Sequence, residues 1–414
     1  MPSITIFSGS FCNENQVVRE VLSRTGYAQI SDKDIVADAV RISHMPANRI
    51  ERAFSAKTSV FNKFTHERER SLAHLRVALA ERLATDQLVI TGFAGQLVPR
   101  EISHVLRVCL IADMKARVAA AVSEHKMSEL EALKIIRRED EDRASWTQLL
   151  FDTKDPWATT LYDIIVPTDK IPPANVAETI WENIAKPVVK PTGRSRSAVD
   201  DFTLAARVET ALIKEGHTVG VKARSGAVTL TINKHVLMLN RLEEDLKAIA
   251  NRVAGVTAVE TKVGPGYYQA DIYRRQDFEI PSKILLVDDE REFVQTLSER
   301  LMMRDLGSAV AYDGESALEV AREEEPDVMI LDLKMPGIDG IEVLRRVKKT
   351  QPAIEVIILT GHGSEADRNV CMDLGAFAYL QKPVDIEELS ETIKAAHDKI
   401  RHMRDEMKPA PAGR

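Results

Sequence analysis

The clearest hydrophobic patterning lies in residues 283–401, where short apolar runs alternate with stretches of helical periodicity. Ile284-Leu-Leu-Val287, Val328-Met-Ile-Leu331 and Val356-Ile-Ile-Leu359 show no polar alternation, the pattern of parallel strands buried on both faces. Weaker strands are predicted at Ser308–Ala311 and Ala378–Leu380, and helices at Glu292–Arg304, Ser316–Glu324, Gly340–Lys349, Glu365–Leu374 and Ile386–Arg401. Five strand–helix units predict a doubly wound, flavodoxin-like sheet, whose ligands lie outside the carboxyl ends of its strands.

Two weaker patterns precede it. In residues 200–264 the order is helix (Phe202–Lys214), hairpin (Val219–Arg224 and Val228–Ile232 about Ser225-Gly226), helix (Leu239–Val253) and strand (Val256–Val263), a small α+β module. In residues 1–186 strands are predicted at Ile4–Phe7, Leu88–Thr91, Leu106–Ile111 and Tyr162–Val166. A small-residue loop, Ser8–Asn15, leads into a helix at Gln16–Arg24, and Glu129–Arg143 is a highly charged helix. Pro, Gly and Ser without apolar period mark linkers at 187–199 and 265–282, and 402–414 reads as a disordered tail. The chain is therefore α/β and multidomain.

Composition narrows the classes. The 414 residues carry 56 Lys and Arg against 63 Asp and Glu, a net charge of −7, with 44% hydrophobic and 29% charged residues. This is the balance of a globular chain, and no apolar run is long enough to span a membrane. Residues 282–401 hold 25 acidic and 15 basic side chains, leaving 38 and 41 elsewhere. Neither part has the clustered basic face that neutralises nucleic-acid phosphates, so direct DNA binding is not expected. The start of the chain lacks the pattern of a signal peptide, and Cys12, Cys109 and Cys371 have no metal spacing, so a cytoplasmic location is expected.

The chemistry concentrates at the predicted strand ends. Asp288 and Asp289 follow the first strand, Asp332 the third, Thr360 the fourth and Lys382 the fifth. Three converging carboxylates repel one another unless a hard cation such as Mg2+ neutralises them. Asp332 could then attack a phosphoryl donor, with Lys382 and Thr360 steadying the transferred oxygens. Val287-Asp-Asp-Glu290, Asp332-Leu-Lys-Met-Pro-Gly-Ile-Asp-Gly340, Leu359-Thr-Gly361 and Gln381-Lys-Pro383, spaced 43, 28 and 22 from Asp289 through Asp332 and Thr360 to Lys382, resemble the receiver domain of two-component response regulators. The resemblance covers residues 283–401. It implies that Asp332 accepts a phosphoryl group from a sensor histidine kinase or phosphotransfer protein. It also implies Mg2+ on Asp288, Asp289, Asp332 and the Lys334 carbonyl, an aromatic switch at Tyr379, and pairing of two copies on phosphorylation.

In the middle module, Gly226-Ala-Val-Thr-Leu230 and Ala250-Asn-Arg-Val-Ala-Gly-Val256 resemble the BON module, for which a protein-contact or spacer role is expected here. Residues 3–185 resemble cytidylate-kinase-like P-loop proteins, through Ser31-Asp-Lys-Asp-Ile35, Val89-Ile-Thr-Gly-Phe-Ala-Gly95, Glu131–Arg143 and Leu161–Asp169. That resemblance implies ATP or another nucleotide on the loop residues Gly9, Ser10, Asn13 and Asn15, under lid arginines Arg137, Arg138 and Arg143. A full phosphate loop begun at Gly9 needs Gly, Lys and Ser or Thr at 14, 15 and 16, where this chain has Glu14, Asn15 and Gln16. Without the lysine, phosphoryl transfer loses a main source of charge stabilisation. Arg100 and Arg107 are candidates to replace it. The expectation is a response regulator with a non-catalytic kinase-like effector. A kinase gated by receiver phosphorylation and a nucleotide sensor without turnover are the alternatives. Cys12 is expected to be a small packing residue.

Overall fold

The computed structural model describes residues 1–414 other than 237, 269–282, 305, 362 and 407–414. The chain divides into two units, Met1–Thr58 with Glu67–Arg274, and Ser59–His66 with Arg275–Arg414. Among the described residues no helix is long and apolar enough to cross a membrane.

In the first unit, strands β1 (Ser3–Ser8), β2 (Ala28–Ser31), β3 (Leu88–Thr91), β4 (Val105–Ile111) and β5 (Ile164–Pro167) form a parallel sheet in the order β2-β3-β1-β4-β5. Alternate residues of the strands feed two apolar layers. Ile4, Ile6, Val89 and Val108 pack with Val17 and Val21 of the helix Glu14–Thr25 and Val176 and Ile180 of the helix Pro173–Ile184. Leu88, Ile90 and Val105 pack with Ile35, Leu75, Leu79 and Trp146. The Trp146 indole is fully buried and donates to the Phe93 carbonyl at 3.1 Å.

The same unit holds an αββαβ module. It comprises the helix Gly193–Lys214, β6 (Gly220–Arg224), β7 (Ala227–Ile232), the helix Leu239–Asn251 and β8 (Ala258–Val263). β6 and β7 are antiparallel across Ser225 and Gly226, whose φ of 49° and 86° suit the tight turn, whereas β7 and β8 are parallel. The helix reverses one expectation, since residues 193–199, read as linker, form its first turns. The Thr192 side chain accepts from the Ser195 amide in a reciprocal cap, and Val199 is buried below it. At the other end of the chain, the helix Ile386–Glu406 takes in residues 402–406, expected to be disordered; the rest of that tail, and residues 269–282 of the second expected linker, lie outside the described residues.

In the second unit β9 (Ile284–Val287), β10 (Ser308–Ala311), β11 (Val328–Leu331), β12 (Glu355–Thr360) and β13 (Ala378–Gln381) form a parallel sheet in the order β10-β9-β11-β12-β13. β9, β11 and β12 are buried along their length, as their unbroken apolar runs require. The sheet separates two cores. Leu285, Val287, Met329, Leu331, Val356 and Ile358 face one side, and Ile284, Leu286, Val328, Ile330 and Ile357 the other.

Candidate phosphoryl-acceptor site and a closed phosphate loop

Flush parallel register builds the first site. Leu331 pairs with Val287 and with Ile358, and Thr360 pairs with Gln381, so the residues after β9, β11 and β13 emerge at one edge. Asp332 continues the ladder by donating its amide to the Val287 carbonyl at 2.9 Å, and Lys382 does so to the Thr360 carbonyl at 2.9 Å. Asp288, Asp289 and Asp332 each offer an oxygen, and the three oxygens lie within 4.8 Å of one another. Asp288 and Asp332 are buried, while Asp289 is exposed.

The Lys382 ammonium joins this group. It donates to Asp288 Oδ2 at 2.5 Å and lies 4.0 Å from Asp332 Oδ1 and 4.3 Å from the centre of the Phe293 ring. The aromatic wall at Phe293 was not read from the sequence. Burial raises the Asp288 carboxyl above the ordinary range, and the Lys382 ammonium opposes the rise. On Asp332 the two oxygens differ. Oδ2 accepts from the Lys334 amide at 3.2 Å, whereas Oδ1 is buried with no hydrogen bond. An all-oxygen set with one unsatisfied carboxylate oxygen fits a hard divalent cation of Mg2+ type.

Glycines shape the surroundings. A Cβ on Gly340 would overlap the Asp332 carbonyl, so only glycine lets the helix Gly340–Thr350 start against the acceptor loop. A Cβ on Gly363 would overlap the Tyr379 hydroxyl, which is buried there without a partner. Thr360 is fully buried at the end of β12.

The loop after β1 is held by the chain's own side chains. Phe11 and Asn13 have φ of 59° and 54°, and Gly9 donates to the Leu110 carbonyl at 3.0 Å. Arg143 donates through Nε to the Ser8 carbonyl at 2.7 Å, and Arg117 to the Ser10 carbonyl at 2.8 Å. Arg117 also makes a two-pronged pair with Asp140, at 2.7 and 2.8 Å. The Ser8 hydroxyl donates to Glu14, and the Ser10 hydroxyl to Glu139. A Cβ on Gly9 would meet the Arg117 guanidinium carbon and Trp157 at 3.4 Å. The protein's own arginines and carboxylates therefore line the loop.

Of the expected lid arginines, only Arg143 reaches this loop. Arg137 and Arg138 are exposed on the same helix, Glu129–Phe151. Asn13 lies 3.5 Å from the Thr168 carbonyl through Nδ2, and Asn15 is exposed. Neither expected substitute for the missing lysine is at the loop. Arg107 donates to the carbonyls of Val98, Pro99 and Val105, and Arg100 pairs with Asp163. Beside Arg143, the loop is met by Arg117, which sequence reasoning missed. Cys12 is buried, which pushes its thiol up to about 11 and keeps it protonated, as suits a packing residue.

Beside the loop, Asp32 accepts from the Phe93 and Ala94 amides, both at 2.8 Å. Burial pushes its carboxyl up from 3.8 to about 6, against the pull of these two hydrogen bonds. A folded-state value above the unfolded one means that the folded state holds more protons between them. Lowering pH from 7 to 5 should therefore stabilise this unit through Asp32 by roughly 1 kcal/mol, the rest of the gain coming only as pH falls on toward 3.8. The Asp32 carboxyl carbon resonance is expected to titrate near pH 6; titration near 4 would remove the effect.

Comparison with known proteins finds relatives for two regions of the chain. Residues 284–394 match the response regulator receiver domain, and residues 3–170 match the cytidylate kinase-like family. Transcriptional regulatory protein CpxR of Escherichia coli K12 is 43% identical over 114 residues, 28% of this chain and 48% of CpxR. Response regulator MprA of Mycolicibacterium vanbaalenii is 35% identical over 116 residues, 28% of this chain and 50% of MprA. The chain thus spans about half the length of the curated relatives it matches. A response regulator receiver domain protein from Clostridium thermocellum is 36% identical, with TM-score 0.29, over 29% of this chain and 98% of that one. The chain thus joins a cytidylate kinase-like region to a receiver domain homologous to those of response regulators.

Proposed function

We propose that this chain is a phosphorelay response regulator whose receiver, residues 283–401, accepts a phosphoryl group on Asp332 from a sensor histidine kinase or a phosphotransfer protein. The observation that carries the reading is Asp332 Oδ1, a buried carboxylate oxygen without a hydrogen bond, beside the Lys382 ammonium. That oxygen attacks phosphorus, an O–P bond forms, and the P–N bond to the donor imidazole breaks with its electron pair leaving on nitrogen. Lys382 and Thr360 receive the transferred oxygens. Asp288, Asp289, Asp332 and the Lys334 carbonyl are the groups to hold Mg2+, which when bound supplies charge neutralisation for the incoming phosphoryl group. Tyr379 is the side chain that follows Thr360 between the two receiver states.

The kinase-like region, residues 1–186, is on this reading a non-catalytic effector. Its support is the missing lysine at Asn15 together with the Arg117–Asp140 pair beside Gly9. The αββαβ module of residues 200–264 resembles the BON module in element order, and serves as a protein-contact or spacer element.

The test is to incubate the full chain with acetyl phosphate and Mg2+ and to read acyl phosphate by mass, with ATP and CMP titrated in parallel. One base-labile phosphate per chain that hydroxylamine removes, and no saturable nucleotide binding, are expected. Absence of the acyl phosphate sinks the receiver reading, and nucleotide turnover sinks the non-catalytic one.

A further inference from the structure

The receiver unit contains eight residues from far upstream. Ser59–His66 lie, in sequence, inside the span that matches the cytidylate kinase-like family, yet belong in space with the receiver. Phe61 is fully buried and belongs to the same apolar cluster as Leu285, Ala321, Met329 and Ile354. Its ring centre lies 6.0 Å from the ammonium of Lys283, a lysine only 1% exposed, whose Nζ also donates to the Glu324 carbonyl at 3.2 Å. One turn later, the Phe64 ring lies against Gly307, where a Cβ would overlap it.

Lys283 and Gly307 sit immediately before β9 and β10, at the amino ends of the strands. Asp288, Asp332 and Lys382 sit at the carboxyl ends. The four residues of β9 separate Lys283 from Asp288, five steps of roughly 3.3 Å or about 16 Å. The edge around Lys283 and Gly307 therefore takes an aromatic segment without touching the acceptor. Three features of this edge suit a phenylalanine: a buried cation for the ring face, an apolar cluster for its body, and a glycine that leaves room for the second ring.

We propose that the amino edge of the receiver is a docking surface for a Phe-x-x-Phe segment, and that its occupant is this chain's own Phe61-Asn-Lys-Phe64. The segment is a latch. It makes a stretch of the kinase-like sequence an integral part of the receiver, at the edge opposite Asp332. This proposal does not depend on what the kinase-like region does.

Hydrogen–deuterium exchange on the full chain tests it from both sides. In the wild type, residues 59–66 and the starts of β9 and β10 are expected to be protected together. Phe61→Ala should speed exchange of both segments by on the order of tenfold or more. Gly307→Leu, which fills the Phe64 seat from the receiver side, should release residues 59–66 in the same way. Acetyl phosphate labelling of Asp332 should persist in both variants, and reports separately on the acceptor reading. Unprotected residues 59–66 in the wild type would overturn the latch. So would a Phe61→Ala effect confined to those residues, or Gly307→Leu leaving them protected.

Discussion

Asp332→Asn is expected to reduce acyl-phosphate formation to background and, in metal-free buffer, to make the receiver more stable. The first effect follows from chemistry, because a carboxamide oxygen is too weak a nucleophile to displace phosphorus from its donor. The second follows from charge. Asp288, Asp289 and Asp332 hold three oxygens within 4.8 Å of one another. Lys382 sits 2.5 Å from Asp288 but 4.0 Å from Asp332, so its compensation is uneven. Removing one negative charge relieves repulsion by about 1 kcal/mol. Sites kept for function are often paid for in stability, and this one should show it.

Mg2+ completes the test. For the wild type, Mg2+ at a hundred times its dissociation constant should add about 2.7 kcal/mol to receiver stability. In Asp332→Asn most of that increment should vanish, so the two proteins cross over as Mg2+ is added. Denaturant midpoints with and without Mg2+ measure it. A variant less stable than wild type in metal-free buffer would mean that Asp332 is a structural residue, and would count against the acceptor assignment.

The receiver was legible because its strands are buried on both faces and so appear as unbroken apolar runs. Its acidic and basic residues follow directly at the strand ends. β2 went unread because only Ile30 of Ala28–Ser31 is buried, leaving no run and no alternation long enough to see. Pro187, Pro191 and Gly193 made residues 187–199 look like linker. The reciprocal cap of Thr192 and Ser195 outweighed the glycine at the first helical position.

The lid arginines show what phase could have told. On the helix Glu129–Phe151 the buried positions are Ala132, Ile136, Arg143, Trp146 and Thr147. Arg143 shares their phase, whereas Arg137 and Arg138 do not, so helical spacing alone separates the inward guanidinium from the outward ones. Nothing local marks Arg117, which meets Asp140 only through the packing of two helices. The same holds for Phe61, whose partner lysine is more than two hundred residues away.

Arg117→Ala should be the most damaging single change at the phosphate-loop position. The guanidinium is 6% exposed and satisfies both Asp140 oxygens and the Ser10 carbonyl. Removing one partner of a fully buried pair costs about 3–5 kcal/mol, since the other charge is left unpaired. Here the Asp140 side chain is 24% exposed and keeps Arg143 at 3.8 Å, so about 2–3 kcal/mol is expected. Urea unfolding of the full chain should show it in the first unit's transition, with the receiver's transition and acetyl phosphate labelling unmoved.

The double variant Arg117→Ala, Asp140→Ala should recover about 1–2 kcal/mol of that loss, because no charge is then stranded. ATP separates the readings of this loop. If Arg117 stands in for the missing lysine, ATP stabilises the wild type and not Arg117→Ala. If Arg117 closes the loop against Asp140, as its geometry favours, ATP shifts neither protein. A wild-type midpoint that rises with ATP would return nucleotide to the loop and turn the non-catalytic effector into a nucleotide sensor.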